Sequence, residues 1–151
     1  MKNTSTELIK PTLLLVPQTL TTSAVTPGVS YVDCQGYDEA MVIVSFGAMS
    51  GTWGTPIAVQ VVEGATTTPV TAISGAVLQY STGTTAYAGT DDNKTFTGRL
   101  DLRKRLRYLA VTVATPTAGS SPSAVVSVLI VLMCPNVAPV TQEQTLIAFN
   151  I

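Results

Sequence analysis

The sequence contains no histidine. That absence removes the Ser-His-Asp and Cys-His arrangements of nucleophilic catalysis and the commonest protein ligand of transition metals. Its two cysteines, Cys34 and Cys134, stand in no Cys-x-x-Cys spacing and cannot complete a four-ligand zinc set. We read them as small buried apolar side chains, and their positions neither require nor exclude a disulfide. Charge is scarce: 11% of residues are Asp, Glu, Lys or Arg, against about 25% in an average soluble domain. The net charge of −1 offers no general attraction to nucleic acid or membrane. Long apolar runs are missing as well. The longest, Ala124–Cys134, is roughly half of the ~20 residues that a spanning helix needs. Leu13–Val16, closed by Pro17, falls short of the ~7–15 apolar residues of a secretory leader. The paired carboxylates Asp38-Glu39 and Asp91-Asp92 are chain neighbours. Neighbours on a strand point to opposite faces, so neither pair supplies the two facing carboxyls of a glycosidase. Both read as turn residues. No Gly-rich phosphate loop leads into a helix. The expectation is a protein that is not an enzyme and that uses no metal and no cofactor.

What is present is Val and Thr in short runs, punctuated by Gly, Pro and Ser. β-Branched side chains are stiff at χ1 and suit a pleated sheet. Strands are predicted over Ala40–Phe46, Ile57–Glu63, Val70–Ile73, Val77–Tyr80, Thr95–Leu100, Tyr108–Ala114 and Ala124–Met133. The first and last of these are apolar at every alternation and read as strands buried on both sides. Turn signals every 8–12 residues point to an all-β fold, a single β-sandwich or jelly-roll-like domain. Val42, Val44, Phe46, Val111, Val126, Val128 and Ile130 are expected to form its core. Residues 1–28, polar and broken by Pro11, Pro17 and Pro27, read as an N-terminal arm. Residues 29–135 form the sandwich body and residues 136–151 a C-terminal arm.

The mean hydropathy of +0.38 is high for so polar-looking a chain, and it suggests surface that partners cover. Candidate interface residues are the apolar clusters of the arms, Leu13, Leu14, Leu15 and Val16, and Leu146, Ile147 and Phe149. Trp53 joins them, in the Gly-rich segment Gly51–Gly54. So do Arg103, Arg105 and Arg107, within the stretch Arg99–Arg107 that holds five of the eight basic residues. A nucleic-acid platform would interleave aromatics there, and only Tyr108 is close. Those arginines are therefore assigned to protein surface or solvent, where the planar guanidinium pairs well with carboxylates. A sugar platform using Trp53 and the loop Ser81–Lys94 is the competing reading.

The order of motifs resembles the decoration, or cement, proteins of tailed-phage heads. It begins at Asp33-Cys-Gln-Gly-Tyr-Asp38 before the strand Met41–Phe46 and continues in Gln60-Val-Val-Glu63. It returns at Arg107-Tyr108 and ends at Ala124–Met133 followed by Pro135 and Pro139-Val140. Gly64-Ala-Thr-Thr-Thr-Pro69 departs from the family's usual continuation, and the N-terminal arm is longer than the family's. The resemblance implies a homo-oligomeric jelly-roll-like subunit, trimeric rather than dimeric, on the virion surface. Its partners would be the major capsid protein and its own copies, with no nucleic-acid or membrane partner. An adhesion module of a phage tail is the alternative.

Overall fold

A computed structural model describes residues 9–21, 31–51, 57–79, 93–114 and 123–136. They form eight strands: β1 (Ile9–Leu20), β2 (Val32–Asp33), β3 (Tyr37–Ser50), β4 (Ala58–Gly64), β5 (Thr71–Gln79), β6 (Thr95–Asp101), β7 (Tyr108–Ala114) and β8 (Ser123–Pro135). Two antiparallel four-stranded sheets result, in the orders β1-β8-β3-β6 and β2-β7-β4-β5. The pairs β1·β8, β2·β7, β3·β6 and β4·β5 are nested, as in one long hairpin rolled up on itself. That is the jelly-roll form of the β-sandwich.

The core lies between the sheets and follows from period-2 alternation. On β8, Ala124, Val126, Val128, Ile130 and Leu132 all point inward and are fully buried. Ala40, Val42, Val44 and Phe46 of β3 meet them from the next strand. Ile57, Val59 and Val61, Leu109 and Val111, and Ile73 close the core from the second sheet. Every residue expected in the core is there. Phe46 also meets Phe96 edge-on, with ring centroids 5.8 Å apart.

Three expectations change. Residues 9–20 are not an arm but an edge strand, paired with β8 from Ile9↔Met133 to Leu20↔Ala124. Prolines 11 and 17 suggested otherwise, yet an edge strand tolerates Pro because one side of its backbone donates to no ladder. Register shifts between Leu13 and Leu15 and between Leu15 and Gln18 let Leu14 and Leu15 both turn inward. The body therefore begins at least as early as Ile9, not at residue 29. The two strands expected over Val70–Ile73 and Val77–Tyr80 are replaced by one, β5, bent where Gly75 takes φ +78°. The described residues cover β3 and β8 on one face; on the other, Val131 is buried while Met41, Ile43 and Leu129 stay partly exposed.

One core position is imperfect. Thr12 is buried opposite Ile130, and its hydroxyl has no hydrogen-bond partner among the described residues. An unsatisfied buried hydroxyl costs about 1–3 kcal/mol, and valine has its shape without the polar atom. Thr12→Val is expected to stabilise the protein by about 1 kcal/mol in urea unfolding. Leu14→Ala, in the same strand, is expected to destabilise it by about 2–5 kcal/mol. A neutral Leu14→Ala would return β1 to the status of an arm.

Candidate protein-interaction site

Charge, scarce in the sequence, is gathered at one end of the sandwich. Strands β3 and β7 start there, and β4, β6 and β8 end there. Among the described residues every charged side chain except Lys94 lies at or beside this end. Two turns build it. In the first, Tyr37 N donates to the Cys34 carbonyl at 3.1 Å, Gly36 takes φ +87°, and Asp33 Oδ1 accepts from Gln35 N at 3.0 Å. A positive φ at the third position marks a type II turn, which is why glycine stands there. The second turn follows β6. Buried Leu102 plugs the sandwich, its N–H donating to the Asp38 carbonyl at 2.8 Å.

The two turns are tied by ion pairs within the chain. Arg107 donates to both oxygens of Asp33, Nε at 3.0 Å and Nη2 at 2.7 Å. The Arg107 guanidinium also lies 5.1 Å from the Tyr108 ring centre, and Tyr108 meets Tyr31 edge-on. Glu63 accepts from the Leu106 backbone N at 3.0 Å and from Arg105 Nη1 at 3.4 Å. Arg103 grips Asp101, and Arg99 pairs with Glu39. So Arg103, Arg105 and Arg107 are exposed, as expected, but each already has a carboxylate of its own chain. The guanidinium of Arg107 holds the Asp33 carboxyl below the usual carboxylate range. The hydrogen bonds from Arg103 bring Asp101 down to about 2. Between them, a basin of about 540 Å3 is lined by Arg103, Arg105 and Arg107 together with Gly36 and Asn136.

A second surface was not singled out from the sequence. On the outer face of the first sheet the ladder aligns Pro11, Val131 and Met41 in one row. Leu13, Leu129 and Ile43 form the next row, and Ile9 and Met133 extend the patch toward the charged end. On the other side lies a hydroxyl row, Ser127, Ser45 and Thr95, with Ser45 and Thr95 hydrogen-bonded at 3.4 Å. An antiparallel sheet with one face in water normally alternates apolar with polar. Here most outer-face positions of β3 and β8 are apolar too, and Met41, Ile43, Leu129 and Met133 stay partly exposed around the buried Val131. The signal in the sequence was the unbroken apolar run of each strand, which reads equally well as burial within the chain.

The remaining predicted residues separate. Leu14 and Leu15 are core residues, because β1 turns them inward; they cannot serve as an interface. Leu13 lies on the outer patch, and Val16 is exposed at 43%. Trp53, Leu146, Ile147 and Phe149 lie outside the described residues, as do most of the loop 81–94 and all of the arm 136–151 but Asn136. Both cysteines are free: Cys34 is buried, whereas Cys134 is exposed, against expectation, at the end of β8. Among the described residues no three His, Cys, Asp or Glu side chains gather as a metal site would require.

No family model, no curated protein and no solved structure matches this chain.

Burial, with the charge of neighbouring Asp33, pushes the Cys34 thiol up to about 12, so its thiolate is absent at neutral pH. A maleimide at pH 8 is expected to label Cys134 alone in the native protein and both cysteines in denaturant, read by intact mass. Two labels without denaturant would show that the charged end opens. The lowered Asp33 pKa means that its contribution to stability is present above the ordinary value of 3.8 and is lost as pH falls below it. Asp33→Asn is expected to cost about 0.5–1 kcal/mol at pH 7, small because both partners are partly exposed. The difference from wild type should shrink on acidification below pH 4, measured by thermal melts across pH.

Proposed function

We propose that this protein is a structural subunit of a phage virion, a decoration protein that binds the outer surface of the head and clamps neighbouring capsid subunits. The observation that carries the reading is the outer apolar patch of the first sheet. Its eight apolar positions, on strands about 4.8 Å apart and at two-residue spacing, give a footprint on the order of 250 Å2. The largest apolar patch on a monomer is commonly a few hundred Å2 and is often functional. It is also too small for a stable pairwise complex, which buries roughly 800 Å2 per partner. A repeated lattice resolves that conflict, because several weak contacts made by linked copies add. Self-association into trimers belongs to the same proposal, since it supplies the linkage. The rigid jelly roll and the ion pairs that consume its charge fit an oriented spacer. Jelly rolls serve both viral capsids and lectins, so the fold by itself does not choose between capsid and sugar.

The test is co-sedimentation of the purified protein with heads of its own virion from which it has been stripped. Wild type is expected to bind to saturation. The double variant Ile43→Lys/Leu129→Lys, on the outer face, is expected to bind at least about tenfold more weakly with an unchanged far-UV spectrum and melting temperature. Equal binding by the double variant would sink the sheet-face reading. Failure of wild type to bind heads, together with binding to immobilised glycans that is lost in Trp53→Ala, would favour the adhesion module.

A further inference from the structure

On one side of the sandwich the two sheets do not close. A groove of about 310 Å3 runs between β5 and β6, floored by Val42, Val61 and Ile73. Glycine opens it. Gly98 sits on the inner face of β6 directly opposite Val42 and leaves that position without a side chain. The facing wall, the bend of β5, is held in place from behind. The Gln60 side-chain amide donates to the carbonyls of Ile73 at 2.9 Å and Ala76 at 3.1 Å, one on each side of Gly75. The groove is thus a built feature with an apolar floor. It lies beside β6, whose one ladder neighbour among the described residues is β3.

We propose that residues 146–151 of the same chain add to β6 as a ninth, antiparallel strand, seating Phe149 opposite Gly98 and Ile147 opposite Leu100. Three observations select this occupant. The first is where the chain leaves. β8 ends at Pro135, and Asn136 N is anchored to the Gly36 carbonyl at 2.7 Å, at the end of the sandwich where β6 also ends. A strand outside β6 lies three strand spacings from β8, about 14–15 Å. Residues 137–145 reach up to ~30 Å when extended, and a chain returning from that end runs antiparallel to β6. The second is the pattern Leu146-Ile147-Ala148-Phe149-Asn150-Ile151. Strand alternation puts Ile147, Phe149 and Ile151 on one face, matched to the apolar floor, and Leu146, Ala148 and Asn150 on the other. The third is Gly98 itself: an aromatic side chain across from a strand glycine covers the exposed backbone and fills the gap. Main-chain pairing supplies affinity, and the side-chain pocket supplies register. Tethering favours the chain's own segment over a neighbour's, because the effective concentration of a short tether is in the millimolar range. The strand would also blunt an edge that otherwise invites pairing with other chains. This inference stands on the groove and is independent of what the outer patch binds.

The experiment is disulfide trapping in the full chain, with Cys134→Ser to remove the exposed thiol. With Phe149 opposite Gly98, Asn150 lies opposite Thr97, an exposed outer-face position. Facing residues in an antiparallel pair fall within disulfide range. Thr97→Cys/Asn150→Cys is expected to form an intramolecular bond, migrating as a monomer without reductant. It should form at least about tenfold faster than Thr97→Cys/Gln144→Cys. Bonds that link two chains would overturn the proposal in favour of strand exchange between copies. Equal rates in the two pairs would overturn it outright. As a second readout, Phe149→Asp is expected to raise hydrogen exchange of the β6 amides at least about tenfold and leave β7 unchanged. Unchanged exchange at β6 would count against docking whatever the trapping yields.

Discussion

The ladder between β3 and β8 carries the structure. It runs from Tyr37↔Pro135 to Ser50↔Ser123. Among the described residues β1 attaches only to β8 and β6 only to β3 within their sheet. A slip of one residue along this ladder would turn every inner side chain outward. In most sheets that error is forbidden by polarity, because the other face is polar. Here most outer-face positions are apolar too, and polarity is a weak guide. Register is held by local devices instead. The irregularity between Phe46 and Met49 interrupts the ladder at one end. Ser45 faces Ser127 in a polar row of the outer face, and the Asn136–Gly36 hydrogen bond fixes the other end.

The same apolar redundancy underlies the proposed function. The described residues cover one face of these strands and leave apolar side chains partly exposed on the other. The charged end works in the opposite sense. Its guanidinium groups could attract anions, but Asp33, Glu63 and Asp101 occupy them. Exposed ion pairs add little stability. Their effect is geometric: they tie the turn after β2 to the turn after β6 and orient the end of the barrel-like stack. The resemblance motifs converge on this end. Asp33 and Gly36, Glu63, and Arg107 with Tyr108 are far apart in the chain and adjacent in space. One arrangement of turns brings them together, so they testify to architecture more directly than to a partner.

Strand identity was legible wherever a run of β-branched residues met a clear turn. Tyr108–Ala114 matches β7 end to end, and the inner set Val42, Val44, Phe46, Val126, Val128 and Ile130 is buried. β1 was not legible, because Pro11 and Pro17 have opposite meanings in an arm and in an edge strand, and only the neighbour decides which applies. The bend at Ser74-Gly75 looked like a break between two strands because the Gln60 amide that spans it comes from another strand.

The sequence by itself determined the class of fold. Val and Thr at period two, with glycine and proline between, specify sheets, and the absence of histidine follows from composition alone. Tertiary structure decided which apolar residues are core and which are surface. Leu14 and Leu129 are both leucines in apolar runs, yet one is sealed between the sheets and the other is partly exposed on the outer face. That distinction depends on how the hairpin rolls and on a bulge in β1. Both are products of long-range pairing, which no local pattern encodes.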